Sequence, residues 1–482
     1  MLDLEKAFDN VNWDYLLHCL KDFRFPGITI KLIMHCVTSS TFSILWNGNK
    51  LPPFKPSHGL RQGDPLSPYL FILCMEKLSV AINTAVLQGE WEPIQITNAG
   101  PQISHLLFAD DVLLFIKARN AQIRFVADLF DRFSKASGLK INLSKSRAFY
   151  FTGTPQRKIT ILTSISGIWS SSSLHRYLGF PIIKGRPKRS DFFFIIEKMH
   201  SRLAYWKNKL LNKPGRLTLA SSVLSSIPSY YMQINWLPQS ICDSIDKTTR
   251  DFIWKGTNNK GINLVNWHKV TTPKHLGGLG IRTAREKNTS LLGKLVWDMV
   301  QSSNKLWVHL LSNKYIGGQN FLQASIQTTS SSSWSSIIRA KNILNHGYSW
   351  RAGSGSSSFW FSNWSTHGPI GNHVPIIDIH DLHLTVKDVF SDDGIHTHDL
   401  YTNLPPAIVD FINSTHFRFN AAIEDSFIWA KNKNSNYTTK NGYDWLLSLK
   451  VTVDDTTPHR SWSWIWRLQA PEKFKFLIWL IC

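Results

Sequence analysis

Two adjacent aspartates, Asp110 and Asp111, stand between the apolar runs 103–108 and 112–116. This spacing predicts a β-hairpin in which only Ala109, Asp110 and Asp111 separate the strands. Polar residues are ordinary at turns. Two-residue hairpin turns, however, favour Asn-Gly or Asp-Gly, and this one has no glycine. Neighbouring carboxylates also repel unless a cation lies between them. Joined by a third carboxylate, Asp3, from a neighbouring strand, the pair could hold two Mg²⁺ ions about 3.5–4 Å apart, the arrangement used for phosphoryl transfer from a nucleotide.

The flanking pattern supplies elements to position these groups. Residues 11–36 read as two helices, with apolar positions at Val11, Tyr15, Leu16, Leu20, Ile28, Leu32 and Ile33 and a break at Pro26-Gly27. A short strand at 42–46 ends in the turn signal Asn47-Gly48. The loop 59–68 opens a helix running to about Val86, with Ser67 expected as N-cap and Pro68 in the first helical position. That helix is apolar all round and should be buried. An amphipathic helix over 121–137 presents Ile123, Val126, Leu129, Phe130 and Phe133 on one face and stops at Gly138. Strands are expected at 139–142 and 148–151. The serine tracts 170–173 and 330–333 suit linkers, with a basic, helix-rich stretch between them. After residue 330 the chain is rich in Trp and Ser, its pattern is weak, and no repeat of fixed period emerges.

The formal charge of +21 favours a polyanionic partner, nucleic acid ahead of membrane. An apolar fraction of 43% is enough for a sizeable core and speaks against wholesale disorder. The five cysteines, Cys19, Cys36, Cys74, Cys242 and Cys482, form no C-x-x-C pair, so neither a disulfide framework nor a complete zinc site is expected. No apolar run reaches the ~18 residues of a membrane helix, and the acidic start, with Asp3 and Glu5, is not a signal peptide. A nuclear or cytoplasmic location is the expectation, with no secretion and no membrane.

Five motifs in order then point to a family. Phe108-Ala109-Asp110-Asp111 resembles the F/Y-x-D-D hairpin of reverse transcriptases, in the form typical of LINE-type elements. Asp3-Leu4-Glu5-Lys6-Ala7-Phe8-Asp9 resembles the first palm motif, and 59–68, with its Arg61-Gln62-Gly63-Asp64-Pro65 core, resembles the second. Residues 138–146 resemble the fourth, and His175-Arg176-Tyr177-Leu178-Gly179 resembles the primer grip. The chain is thus identified with the non-LTR retrotransposon reverse transcriptases of plant type. Trp206, Lys207, Lys209, Leu210, Pro214, Gly215 and Arg216 continue the likeness, as do Trp267-His268 and 277–281. Trp466, Pro471, Lys473, Phe474, Lys475 and Trp479 resemble the start of a reverse-transcriptase-associated zinc-binding region.

The resemblance implies an α+β fold. A right-hand polymerase palm, an antiparallel sheet backed by helices, would span 1–180. A helical thumb or connection region would follow at 181–325, a Trp/Ser-rich mixed region at 326–450, and the truncated start of the zinc-binding region at 451–482. It implies RNA-directed DNA synthesis on a primer from dNTPs, with an RNA template, a DNA primer and an RNA–DNA hybrid as partners. Asp3, Asp110 and Asp111 would ligate two Mg²⁺ ions, and Lys145 would protonate the leaving pyrophosphate. Phe8 would exclude a ribose 2′-OH; by pattern alone it is a core aromatic at helical spacing from Val11 and Tyr15. Arg61, Gln62 and Gly63 would line the nucleotide and template pocket, and Tyr177, Leu178 and Gly179 would hold the primer end. Lys207, Lys209, Lys213 and Arg216 would neutralise duplex phosphates without reading sequence. No zinc is expected.

Against the family pattern, only Met1 and Leu2 precede Asp3, where the family has fingers. The strand bearing Asp3 is therefore expected to be at most half made, and the polymerase crippled. The alternative reading is a non-catalytic basic remnant that binds nucleic acid.

Overall fold

The computed structural model divides into two units, Met1–Ile182 and Ile183–Cys482. It describes the chain apart from residues 152, 173–175, 184, 207–210, 257–260, 318–320, 363, 366–367, 392–393, 433 and 451–461, and apart from the side chains of 205–206, 391, 394–395 and 398. It is a mixture of helices and small sheets.

In the first unit the elements run β1 (Leu4–Glu5), α1 (Trp13–Asp22), α2 (Gly27–Thr38), β2 (Leu45–Trp46), β3 (Asn49–Lys50) and α3 (Ser67–Leu87). Then come β4 (Ile94–Gln95), β5 (Gln102–Ile103), β6 (His105–Phe108), β7 (Asp111–Leu114), α4 (Asn120–Ser137) and β8 (Lys140–Ile141). β9 (Ala148–Phe149), α5 (Gln156–Ser166), β10 (Ser170–Ser171), β11 (Arg176–Tyr177) and β12 (Phe180–Pro181) complete it. Each ladder is two strands wide. β1 is shorter than the five or so residues of an ordinary strand, yet it is paired along both edges. Leu4 and Glu5 face Ile141 and Lys140, while Leu2 bridges Val112 with mutual hydrogen bonds of 2.7 and 3.3 Å.

α1, α3 and α4 back these strands. Leu16, Leu20, Leu70, Phe71, Leu78, Val112, Phe130 and Leu139 share one buried core. α3 departs from the expectation on membrane helices: at 21 residues it is long and apolar enough to cross a bilayer by length and composition. The sequence reading sought an unbroken apolar run, and Glu76 and Lys77 interrupt it. In this fold α3 is a core helix on one side only: Leu70, Phe71, Cys74, Met75, Leu78 and Ile82 are buried, while Tyr69, Ile72 and Leu87 are exposed, so the expected burial all round does not hold. Ser67 is not its N-cap. It is the first helical residue and is buried, Leu66 stands at the cap, and the Asp64 carboxylate accepts from the Leu66 N–H at 2.9 Å. α4 ends as expected: Gly138 is left-handed at φ +79°, and a Cβ there would lie 2.3 Å from the Asn10 carbonyl oxygen.

The serine tracts also differ from expectation. Ser170 and Ser171 form β10, parallel to Ala148 and Phe149. Ser331 caps a helix, its hydroxyl accepting from the Trp334 N–H at 3.3 Å. Backbone pairing and capping, not linker freedom, occupy these serines.

The second unit is mainly helical: α6 (Phe193–Trp206), α7 (Lys213–Leu219), a π turn (Ala220–Leu224), α8 (Ser226–Met232), α9 (Gln239–Lys255), α10 (Trp267–Thr271), α11 (Ala284–Val300), α12 (Leu306–Tyr315) and α13 (Ser332–Leu344). β13 (Tyr348–Arg351), α14 (Val386–Val389), β14 (Phe390–Ser391), β15 (Gly394–Ile395), α15 (Pro406–Asn413), β16 (Ser426–Trp429), α16 (Thr439–Ser448), α17 (Ser463–Arg467) and α18 (Glu472–Ile481) follow. β13 pairs antiparallel with β16. The Trp-rich stretch makes a core of its own, centred on Phe359, Trp360, Trp364 and Phe390.

Candidate active site

The hairpin that carries the paired aspartates closes one residue earlier than expected. Phe108 pairs with Asp111, so Asp111 is a strand residue and only Ala109 and Asp110 turn the corner. Ala109 takes φ +50°, a left-handed conformation that costs an L-residue roughly 1–2 kcal/mol. Asp110 is exposed at the apex and Asp111 is half-buried below it.

Register brings in the third carboxylate. The Leu2–Val112 bridge sets Asp3 directly across from Asp111, so both side chains emerge on one face. Burial, then the charges of Asp110 and Asp3, raise the Asp111 carboxyl above the usual aspartate value. On the other edge of β1 the turn after β8 folds over Asp3. The Asn142 N–H donates to the Asp3 carbonyl at 2.8 Å, and the Asp3 N–H donates to the buried Ser146 hydroxyl at 3.1 Å. Asn142 in turn accepts from the Ser144 hydroxyl and the Lys145 N–H. This turn holds the Lys145 ammonium 4.0 Å from the Asp3 carboxylate. Among the described residues, no three His, Cys, Asp or Glu side chains converge tightly enough to cage a metal by themselves.

A second constellation ties the first two motifs together. The Gly59 N–H donates to the Val11 carbonyl at 2.8 Å, and the Leu60 N–H donates to Phe8 at 2.7 Å. The Trp13 indole donates to the Gly59 carbonyl at 2.8 Å, and the Gln62 amide reaches Asp9 at 3.2 Å. Gly59, at φ +89°, has no room for a Cβ, which would lie 2.6 Å from the Asp9 carbonyl oxygen. Phe8 stacks on Phe71 with ring centroids 4.8 Å apart and is half-buried, a contact that suits a core role as well as a positioning one. Arg61 pairs with Asp64 at 2.6 Å, and Gly63 is left-handed at φ +88°.

The hairpin of β11 and β12 turns on Leu178 at φ +49° and Gly179 at φ +78°, the paired left-handed conformation of a type I′ turn. Burial, and then the charge of Asp111, raise the Tyr177 hydroxyl above the usual tyrosine value. His175 lies outside the described residues.

The expected phosphate-binding cations are less open than the sequence implies. Lys213 stacks over Trp254 at 5.5 Å, and the Arg216 guanidinium packs on Gly256, so both already serve the packing of the second unit. Lys207 and Lys209 lie outside the described residues. Sequence reasoning missed Ser146, Asn142 and Asp9 as the groups that orient the named residues; their one signal was their place inside the motifs.

Residues 1–182 match the family described as reverse transcriptase (RNA-dependent DNA polymerase). Over this segment the chain is similar to reverse transcriptases, and the relatives it matches include proteins of retrotransposable elements. A "Putative ribonuclease H protein" of Arabidopsis thaliana is 30% identical over 62% of this chain and 49% of its own length. A retrovirus-related Pol polyprotein from the type-2 retrotransposable element R2DM of Drosophila melanogaster is 27% identical over 68% of the chain and 30% of its own length. A transposon TX1 protein of Xenopus laevis is 24% identical over 65% of the chain and 23% of its own length. The chain therefore spans half or less of each of these relatives.

Proposed function

We propose that the first unit is a polymerase palm that extends a DNA primer on an RNA template, using dNTPs and two Mg²⁺ ions. The observation that carries this reading is the placement of Asp3 opposite Asp111, with Asp110 at the adjoining apex. Mutual repulsion among these carboxylates is what a cation relieves. Magnesium keeps waters and substrate phosphates and needs only one or two protein carboxylates, so a loosely gathered set suits it. When bound, it would neutralise charge on the transferring phosphoryl group and the primer oxygen.

The other roles are proposed for side chains described above. Lys145, next to Asp3, would protonate the departing pyrophosphate. Phe8, held by Phe71, would bar a 2′-hydroxyl. Gln62 and Gly63 would line the nucleotide pocket, with Arg61 toward phosphate. Tyr177, Leu178 and Gly179 would seat the primer end. The stretch 181–325 is read as the thumb, 326–450 as a mixed region and 451–482 as the start of a zinc-binding region; no zinc is proposed.

Primer extension on poly(rA)/oligo(dT) with Mg²⁺ tests the reading against the Asp110→Ala, Asp111→Ala double variant. Extension by the parent that the double variant loses supports it. Salt-sensitive hybrid binding in both, with extension in neither, overturns it in favour of a nucleic-acid-binding remnant.

A further inference from the structure

The second unit holds a cavity of about 290 Å³ that the proposed polymerase chemistry does not use. Three segments build it. The first is the passage of α7 into the π turn, which supplies Thr218 and Ser221. There the Ser225 N–H reaches five residues back to the Ala220 carbonyl at 3.0 Å. The inserted residue rotates this surface by roughly 100° against α8, and such π insertions cluster at functional sites. The second segment is the turn through Gly280, left-handed at φ +68°, which carries Lys274 on the rim. The third is α17 with α18, which supplies Trp466, Glu472 and Phe476. It is pinned to the glycine turn by the Trp462 N–H on the His275 carbonyl at 3.1 Å and by the Trp479 indole on the Gly277 carbonyl at 2.9 Å.

The chemistry of the walls is mixed in a specific way. Lys274, in the lining, is exposed and lies 4.5 Å over the Trp466 ring; Lys269, outside the lining and also exposed, lies 5.2 Å over Trp462, against Gly277. Neither lysine has an ion-pair partner among the described residues, whereas Glu472 is compensated by Lys475 at 2.8 Å. The Trp466 indole N–H is buried with no acceptor among the described residues. Aromatic walls, hydroxyls and the Lys274 ammonium, with that of Lys269 outside the lining, suit an aromatic heterocycle that carries phosphate. The volume is near the lower limit for ligand pockets and admits one such ring system. A base stacked and paired within a duplex cannot enter it without being extruded.

We propose that this cavity takes one unpaired nucleotide of a single nucleic-acid strand, its base beside Trp466 and Phe476 and its phosphates on Lys274 and Lys269. The proposal rests on the reading of this chain as one that works on nucleic acid, and is independent of the carboxylate site.

Fluorescence anisotropy of a labelled short oligo(dT) on the full chain tests it, with blunt RNA–DNA hybrid as the control. A Lys269→Glu, Lys274→Glu variant should weaken single-strand binding roughly tenfold or more and leave hybrid binding unchanged. Photocrosslinking of the same strand carrying 5-iododeoxyuridine should label the peptide that contains Trp466, and Trp466→Leu should remove the label. An Asp110→Asn, Asp111→Asn variant should keep full single-strand affinity, so failure of polymerisation and failure of this site are read separately. Unchanged affinity in the double lysine variant, or crosslinks that avoid Trp466, overturns the proposal. So does displacement of the crosslink by free dTTP but not by unlabelled strand, which would make the cavity a mononucleotide site.

Discussion

Asp3 lies directly across the ladder from Asp111, each one step beyond the mutual hydrogen bonds of Leu2 and Val112. Two carboxylates on one face of adjacent strands, with a third at the next corner, make a site whose charge opposes the fold that creates it.

That opposition has a sign that can be measured. The Asp111 carboxyl is raised in the folded chain, so the folded state holds its proton more tightly than the unfolded one. Stability from this group is therefore lost as pH rises from the ordinary aspartate value through the raised one. Asp111→Asn should melt at a higher temperature than the parent at pH 7, and at the same temperature near pH 3. The margin should be small, because Asp111 is only half-buried. Added Mg²⁺ should raise the melting temperature of the parent and not of the variant, while primer extension by the variant falls by ~100-fold or more.

Ala109 bears backbone strain at the corner of the hairpin. Ala109→Gly removes the Cβ that makes φ +50° costly and should stabilise the chain by about 1 kcal/mol in urea unfolding. Ala109→Val, β-branched at the same φ, should destabilise it. Equal midpoints for the three proteins would show that the corner relaxes freely.

Lys145 is exposed, so its removal should spare the fold. Lys145→Gln should slow single-turnover extension by ~100-fold, the scale of a lost general acid, with nucleotide affinity little changed. A loss confined to nucleotide binding would make Lys145 a phosphate contact instead.

In the second unit Asp246 of α9 is half-buried, accepts the Ala284 N–H of α11 at 3.0 Å and is pushed up to about 7 by desolvation, with Glu286 adding to the shift. Its folded value lies above its unfolded one, so stability is lost as pH rises from about 4 through about 7. Asp246→Asn keeps the acceptor and removes the charge. It should gain about 1–3 kcal/mol at pH 8 and nothing at pH 4, as read by urea denaturation.

The carboxylate hairpin was legible because two aspartates between apolar runs leave few alternatives. The reading still missed the register, since pairing of Phe108 with Asp111 depends on a strained Ala109 that no propensity favours. Ser67 failed as a cap because Asp64, two residues before the cap position, supplies the acceptor. Ser170 and Ser171 failed as a linker because their backbone, not their side chains, pairs with β9. Composition records nothing of such partners. The second unit was scarcely legible, because its order comes from rings far apart in sequence, such as Tyr348 against Trp429 and Trp429 against Trp445.

The two-edged pairing of β1 also governs when the site can exist. The hydroxyl of Ser146 that receives the Asp3 N–H stands 143 residues downstream. Translation at about 5–20 residues per second leaves Asp3 without that partner for many seconds. Closing so long a loop is also slow, because its entropy is lost before the contacts repay it. A chain stalled before β8 thus carries Asp3, Asp110 and Asp111 with one edge of the Asp3 strand still unpaired.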